Sequence, residues 1–182
     1  MSGLVGDNTA RASGVIASAG GGGKIVQVVQ TYKTDTTTQA GGDPDVFYDI
    51  SGMSQAITPT KAGSKILVDV CLVVGALDLG TTKVQADIDG GGYNDIGLAD
   101  ESSNRSRGFT GAVYQNMSVY VSRPQVQKFL WTPSYSLGEV ITIKCLWSME
   151  NGVTVYLNQS AGTTDTHDYV VSTSSLTLWE IN

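Results

Sequence analysis

Two segments of this chain alternate apolar and polar residues with the period of a β-strand. Residues Ser64–Ala76 read S-K-I-L-V-D-V-C-L-V-V-G-A, and residues Glu139–Trp147 read E-V-I-T-I-K-C-L-W. The apolar side chains that share one face of each segment are Ile66, Val68, Val70, Leu72 and Val74 in the first, and Ile141, Ile143, Cys145 and Trp147 in the second. A period of two with β-branched residues predicts a strand that has one face on a hydrophobic core.

Further short strand patterns follow one another from Lys24 onward, separated by polar or glycine-rich turns. The additional predicted strands are Ile25–Tyr32, Val46–Ile57 with a bend at Gly52, Lys83–Ile88, Gly108–Tyr114, Ser118–Ser122, Val126–Trp131 and Tyr169–Ile181. Asn151-Gly152 is a strong turn signal, which predicts a hairpin between Glu139–Trp147 and Thr154–Asn158. No segment carries a convincing helical pattern. We therefore predict an all-β fold, a single β-sandwich or jelly roll of about eight to ten antiparallel strands.

Residues 1–23 differ from the body that follows, residues 24–182. They contain few large apolar residues and no steady period, and they end in the four-glycine tract Gly20–Gly23. Such a tract is a flexible neck. The apolar side chains that this N-terminal arm could bury on a partner are Leu4, Val5, Val15 and Ile16. We favour an arm that docks on a partner, and a disordered tail is the alternative.

The composition is that of a globular domain with little charge. Apolar residues make up 41% of the 182 residues and charged residues 15%, against about 25% charged in an average soluble domain. The net charge is −6, and the densest basic group is Arg105 with Arg107. Because binding to phosphates needs clustered Lys and Arg, we expect no nucleic-acid partner.

No segment has the pattern of a membrane span or of a secretory signal. The apolar run Ile66–Leu79 is interrupted by Asp69 and Asp78, and it falls short of the roughly 18 residues that a span needs. Residues 1–23 lack both a basic start and a sustained apolar stretch. We expect a soluble protein that is made in a cytoplasm and has no membrane partner.

Residues that carry chemistry in enzymes are sparse. His167 is the single histidine, and no G-x-S-x-G motif supplies a nucleophile beside it. Gly20–Lys24 has some likeness to a phosphate-binding loop, but Ile25 stands where that motif has Ser or Thr, and no strand precedes it. We expect no enzymatic activity and no cofactor.

Asp87, Asp89 and Asp95 surround the glycines Gly90–Gly92 and form a weak candidate for a calcium site. Carboxylate oxygens beside glycines suit a calcium loop in general terms, but the spacing and the glutamate of an EF-hand are missing. Asp and Gly are also ordinary residues of a hairpin turn. The turn is the interpretation that we favour, so we expect no resident metal.

The two cysteines, Cys71 and Cys145, each fall in the middle of a predicted strand. Two buried free thiols, acting as small apolar side chains, are one interpretation. A disulfide between facing strands is the other. Two cysteines in 182 residues are not the dense framework of a small secreted domain, so we expect both thiols to be free.

Three segments in a fixed order resemble a group of known proteins. They are G-G-G-K-I-V-Q-V-V-Q-T from Gly21, D-I-S-G-M-S-Q-A-I-T-P-T-K-A-G-S-K-I-L-V-D-V over Asp49–Val70, and S-S-L-T-L-W-E-I-N over Ser174–Asn182. This order is similar to that of tailed-bacteriophage structural proteins, whose members are usually labelled tail fibre, head fibre or virion structural protein. The resemblance implies a β-sandwich on a virion, assembled in the cytoplasm of the bacterial host as a homotrimer. It carries no catalytic residue.

The length of the arm narrows the role that the resemblance implies. Fully extended, residues 1–23 reach at most about 80 Å, and no heptads or repeats are present to form a shaft. We therefore expect a capsid decoration (cement) or short head-fibre protein, whose arm binds the major capsid protein or another virion protein. The alternative is a tail-fibre or receptor-binding module that recognises host surface glycans. A soluble carbohydrate-binding or hydrolytic domain is a third candidate.

Overall fold

The computed structural model describes residues 24–43, 46–76, 81–109, 120–149, 152–162, 167 and 169–182. The N-terminal arm, with Leu4, Val5, Val15 and Ile16, lies outside the described residues. So do most of the two strands predicted over Gly108–Tyr114 and Ser118–Ser122. Their described parts, 108–109 and 120–122, are turn and loop.

The described residues form ten strands and no helix. The strands are β1 (Ile25–Lys33), β2 (Thr37–Gln39), β3 (Tyr48–Ile57), β4 (Lys65–Ala76), β5 (Thr82–Ile88), β6 (Asn94–Ile96), β7 (Arg123–Trp131), β8 (Ile141–Trp147), β9 (Val155–Leu157) and β10 (Ser174–Ile181). Their number and type confirm the predicted all-β fold.

The strands form two antiparallel sheets that pack as a β-sandwich. The larger sheet has six strands, in the order β1-β10-β4-β9-β2, with β7 on the opposite edge of β4. The smaller sheet has four strands, in the order β3-β8-β5-β6. Because β4 pairs with β10, β7 and β9, it is the central strand of the larger sheet. Its place there explains why its pattern in the sequence is the clearest.

The hydrophobic core lies between the two sheets and is built by alternating side chains, as the period of two predicts. Every even-numbered residue of β4 from Ile66 to Val74 is buried. The inward side chains of β8 oppose them from the smaller sheet and include Trp147, the largest fully buried side chain. Further buried core residues come from both sheets: Met53, Ile57, Val84, Ala86, Val155, Leu157, Leu176 and Leu178.

The predicted hairpin between β8 and β9 is wrong. β8 pairs with β3 on one edge and with β5 on the other, so neither edge is left for β9. β9 lies in the larger sheet, paired with β2 and β4. The chain therefore crosses from one sheet to the other after Trp147, and Met149 is fully buried at the start of this crossing.

The bend predicted at Gly52 is confirmed. Gly52 has a φ of +78°, a conformation that L-residues other than glycine rarely adopt. The register between β3 and β8 shifts between Asp49 and Ser54, which is the position of a β-bulge. A side chain at this position would also meet Nζ of Lys33 at 3.0 Å. The bulge thus lets the end of β1 approach β3.

Candidate functional surfaces

The buried carboxylate of Glu180, on β10, accepts hydrogen bonds from four residues of the described structure: Gln27, Thr60, Lys61 and Ser64. Its Oε1 accepts hydrogen bonds from the hydroxyl of Ser64 at 2.8 Å and from the N–H of Lys61 at 3.0 Å. Its Oε2 accepts them from Nε2 of Gln27 at 2.9 Å and from Oγ1 of Thr60 at 3.1 Å. The N–H of Thr60 lies 3.0 Å from both oxygens. These donors replace water around the buried charge.

The pKa of Glu180 reflects two opposing effects. Burial, the largest of them, raises the pKa because the charged form loses its hydration. The hydrogen bonds from Thr60, Ser64, Gln27 and Lys61 together outweigh burial and hold the pKa below the ordinary value of 4.5. Glu180 is therefore charged at neutral pH, and its charge ties the turn between β3 and β4 to β1 and β10.

Three segments that are far apart in the sequence, beginning at Gly21, Asp49 and Ser174, meet at this carboxylate. Gln27 belongs to the first segment, Thr60 and Ser64 to the second, and Glu180 to the third. In the larger sheet the strands of the three segments are neighbours, in the order β1-β10-β4. The three segments thus form one structural unit in which strand, turn and buried charge depend on one another.

A second buried polar group fixes the opposite end of β1 and β10. Asn158 is fully buried, with a φ of 64°. Its Nδ2 donates to the carbonyl oxygens of Lys33 and Asp35, each at 2.9 Å, and its Oδ1 accepts from Oγ of Ser174 at 2.6 Å. The same Ser174 oxygen accepts from the N–H of Val73 on β4 at 2.9 Å. Strands β1, β10 and β4 are therefore held together at both ends.

The outer face of the larger sheet, the side turned away from the core, carries a continuous apolar row. Side chains of directly paired residues point to the same side of a sheet. Val28 pairs with Trp179, Trp179 with Leu67, and Leu67 with Leu130, so the row crosses β1, β10, β4 and β7. Val28 is 46% exposed and Leu130 51% exposed, and the two residues between them are half-buried.

The next row along the strands is polar and internally paired. Nε2 of Gln30 donates to Oγ1 of Thr177 at 2.7 Å, and Nζ of Lys128 lies 2.7 Å from Oδ2 of Asp69. The charges of this row cancel within the row. On the outward positions of these four strands, the only other charged residue is Lys65, which lies at one rim of the face.

A second largely apolar row lies beyond the polar one. It consists of Tyr32, Ser175, Cys71 and Val126, again one residue from each of the four strands. Tyr32 is 60% exposed and Val126 56% exposed. The outer face therefore presents two apolar rows on either side of a neutralised polar row. Soluble monomers rarely expose a contiguous apolar patch of more than a few hundred Å².

The calcium candidate lies in the hairpin between β5 and β6, where its carboxylates have local roles. Oδ1 of Asp87 accepts from the N–H of Gly92 at 2.7 Å, as in an ordinary turn. Asp95 makes an ion pair with Lys83 at 2.9 Å. Asp89 is exposed, with a φ of 52°. Within the described ranges, no three Asp, Glu, His or Cys side chains form a group that could hold a metal ion.

A shallow cavity opens beside the same hairpin. It has a volume of about 140 Å³ and is lined by Ala86, Ile88 and Ile96 from the smaller sheet, by Asn94, and by Trp131 of β7. An aromatic ring beside an amide can contact a sugar ring and hydrogen-bond its hydroxyls.

The structure separates the two cysteines, and both are free. Cys145 is completely buried on β8, and burial raises the pKa of its thiol to about 12. Cys71 is half-buried on the outer face of β4, so the expectation that it is a core thiol is wrong. Even-numbered residues of β4 point into the core and odd-numbered residues point outward, so Cys71 points outward. Burial, and to a lesser degree Asp69, raises the pKa of Cys71 as well.

The remaining candidates lie at the edges of the described structure. His167 is exposed, and the aspartates at 165 and 168 beside it in the sequence lie outside the described residues.

Lys24, where the body begins, exchanges two backbone hydrogen bonds with Asn182, at 2.6 and 3.0 Å. The body therefore begins next to Asn182, the residue that follows β10. The described part of the chain contains no helix of the length and apolar character that a membrane crossing requires.

Comparison with models of known protein families and with curated proteins finds no match to this chain.

Proposed function

We propose that this protein is a non-enzymatic structural protein of a bacteriophage virion, most simply a capsid decoration (cement) or short head-fibre protein displayed on the particle surface. The observation that carries the proposal is the cluster around Glu180. Three separate segments that resemble phage structural proteins form a single unit there, joined by hydrogen bonds of 2.8 to 3.1 Å. A shared fold requires the three segments to pack together, and this cluster meets that requirement.

The surface chemistry supports a role in packing against other proteins. The outer face carries two apolar rows and a neutralised polar row, and both of its ends are fixed by buried hydrogen bonds. A nearly neutral surface with exposed apolar rows is suited to protein contacts. We therefore propose self-association into a homotrimer, with attachment of the trimer to the major capsid protein or another virion protein.

Attachment is assigned to residues 1–23. Because Lys24 is paired with Asn182, the arms leave the body from a fixed position at one end of β1. Three arms on one trimer would bind three equivalent sites. Once one arm is bound, the other two are held near their sites at a high effective concentration, so weak binding by each arm gives strong attachment of the trimer. A short, glycine-rich arm with four apolar anchors, Leu4, Val5, Val15 and Ile16, is then sufficient.

The second candidate function is a tail-fibre or receptor-binding module that recognises host surface glycans. The cavity of about 140 Å³ beside Trp131 and Asn94 favours it. Asn94 is exposed, and its Nδ2 donates to the carbonyl of Gly92 at 3.1 Å. Binding of this chain to a glycan array that is lost in Asn94→Ala would support this candidate over the first.

Incorporation into particles tests the proposal. Particles are assembled with the full-length chain or with a chain that lacks residues 1–20, then purified, and the protein is quantified by mass spectrometry. We expect the full-length chain in hundreds of copies per particle, and the shortened chain to fold but to be absent. A few copies per particle would favour the tail module. Absence of the full-length chain from purified particles would refute both candidates.

A further inference from the structure

We propose that copies of this chain associate through the outer face of the larger sheet, around a rotation axis that runs parallel to its strands. The inference rests on the proposed homotrimer and names the surface that forms it. The surface consists of the apolar row Val28, Trp179, Leu67 and Leu130, the polar row Gln30, Thr177, Asp69 and Lys128, and the row Tyr32, Ser175, Cys71 and Val126.

The direction of the axis follows from the orientation of the rows. Each row runs across the strands, so rotation about an axis parallel to the strands leaves every row at its own height. The apolar row of one copy then meets the apolar row of the next, and polar row meets polar row. Lys128, on edge strand β7, is placed level with Asp69 of the partner subunit, so the ion pair of 2.7 Å within each copy can be shared between copies.

Charge favours a second copy as the occupant of this face. Each chain carries a net charge of −6, so copies repel one another over most of their surface. The interior of the outer face has one negative and one positive side chain, Asp69 and Lys128, which cancel. Repulsion between copies is therefore smallest when these faces meet. A strongly basic partner would instead be drawn to the acidic remainder of the surface.

The size of the face limits how much surface each contact between copies can bury. Four strands spaced about 4.8 Å apart, over the length of β4 from Lys65 to Val73, cover about 500 Å² of flat sheet, to which upright side chains add. A stable interface buries about 800 Å² on each partner. In a trimer each copy divides this face between two neighbours, so each pairwise contact is smaller than this standard size, and the trimer depends on three such contacts together.

Two substitutions that place the same charge at similarly exposed leucines test the face. Leu130→Arg puts a cation in the apolar row, where Leu130 is 51% exposed. Leu137→Arg puts one in the turn that precedes β8, where Leu137 is 61% exposed. Val126→Arg, at a residue 56% exposed in the other apolar row, repeats the test independently. Thermal unfolding of each variant verifies that it is folded, and light scattering gives its mass at tens of micromolar.

We expect the unchanged chain and Leu137→Arg to have three times the chain mass of 19.1 kDa, and Leu130→Arg and Val126→Arg to show a threefold lower mass. A dimer that the same two variants dissociate would support the face and contradict the trimer. Oligomers that persist in both face variants would overturn the face while the homotrimer stands. A monomeric unchanged chain would overturn both.

Alkylation of Cys71 identifies the occupant. The thiol lies on the face, and buried Cys145 is the internal reference. If copies cover the face, labelling of Cys71 with a small maleimide should become at least tenfold faster on dilution, and Leu130→Arg should label at the fast rate throughout. A monomer with protected Cys71 would mean that the chain's own arm covers the face. A monomer with reactive Cys71 would mean that a different protein covers the face. Either result overturns the proposal.

Discussion

The hydroxyl of Ser64 donates a 2.8 Å hydrogen bond to the buried carboxylate of Glu180, across 116 residues of sequence. Ser64 immediately precedes β4, the central strand, and Glu180 lies one residue from the end of β10. Both residues are completely buried. Their contact fixes the start of one strand to the end of its neighbour, and with them the register of the sheet whose outer face we assign to self-association.

Glu180→Gln should destabilise the fold strongly. The two carboxylate oxygens accept from five donor groups, and an amide would replace one acceptor with an NH2 group that faces those donors. We expect the free energy of unfolding to fall by about 3 kcal/mol, because buried donors lose their acceptor. Urea unfolding followed by fluorescence measures the difference.

Glu101→Gln is the matched control, because Glu101 is exposed. It should change the free energy of unfolding by less than about 0.5 kcal/mol. Equal effects of the two substitutions would contradict a special role for the buried carboxylate.

Stability should decrease in acid, and Glu180 should account for part of the decrease. Its pKa in the folded protein lies below the ordinary 4.5, so between the two values the unfolded chain binds more protons. The contribution of Glu180 is therefore complete above the unfolded pKa and is lost as the pH falls through the folded pKa. Urea titrations from pH 6 down to pH 3 should show a steeper loss in the unchanged chain than in Glu180→Gln. Parallel profiles would contradict this assignment.

Gly75→Ala should disrupt the crossing of β4 over the segment that follows β9. A Cβ at Gly75 would clash with the carbonyl oxygen of Gln159 and lie 2.8 Å from Cα of Ser160, and backbone atoms cannot move aside as a side chain can. We expect a loss of about 2–3 kcal/mol from this overpacking. Gly91→Ala, whose Cβ would meet only the carbonyl oxygen of Ile88 at 3.1 Å, should cost clearly less. Melting temperatures of the two variants provide the comparison.

The two thiols should differ sharply in reactivity. In dilute folded protein at pH 8, iodoacetamide should add once, at Cys71, because Cys145 is fully buried and its pKa is raised to about 12. Cys71→Ser should take up no label until it is unfolded. The melting temperature should be unchanged by reductant, since both thiols are free. Two adducts on the native chain, or a reductant-dependent melting temperature, would contradict this account.

The alternating pattern was sufficient to predict the sandwich and its central strands. The patterns of β4 and β8 were clear in the sequence because each strand is paired on both edges and has one face on the core. Apolar side chains must therefore alternate along each of them. β2 and β6 were missed, since three residues are too short to show a period, and they form by pairing with β9 and β5. The β8–β9 hairpin was wrong because an Asn-Gly turn is a local signal, whereas partner choice depends on which strand edges are already occupied.

The candidate surfaces were less predictable, although one signal was present in the sequence. Glu180 has the same parity as the inward residues Leu176 and Leu178, so a buried carboxylate at the end of β10 could have been expected. Its donors, in contrast, come from a turn and a strand more than 100 residues away. The apolar row Val28–Trp179–Leu67–Leu130 likewise depends on the registers of three strand pairs. Register is set by the assembled sheet and not by any one strand.

Display of this protein on a virion can be seen in a cryo-electron microscopy map of particles purified from the source of this chain. We expect β-sandwich bodies on the capsid surface, grouped in threes, with the larger sheets turned toward the threefold axis and the Lys24 ends toward the capsid. A map without such bodies on either capsid or tail, from particles that also lack the protein by mass spectrometry, would refute the proposed function.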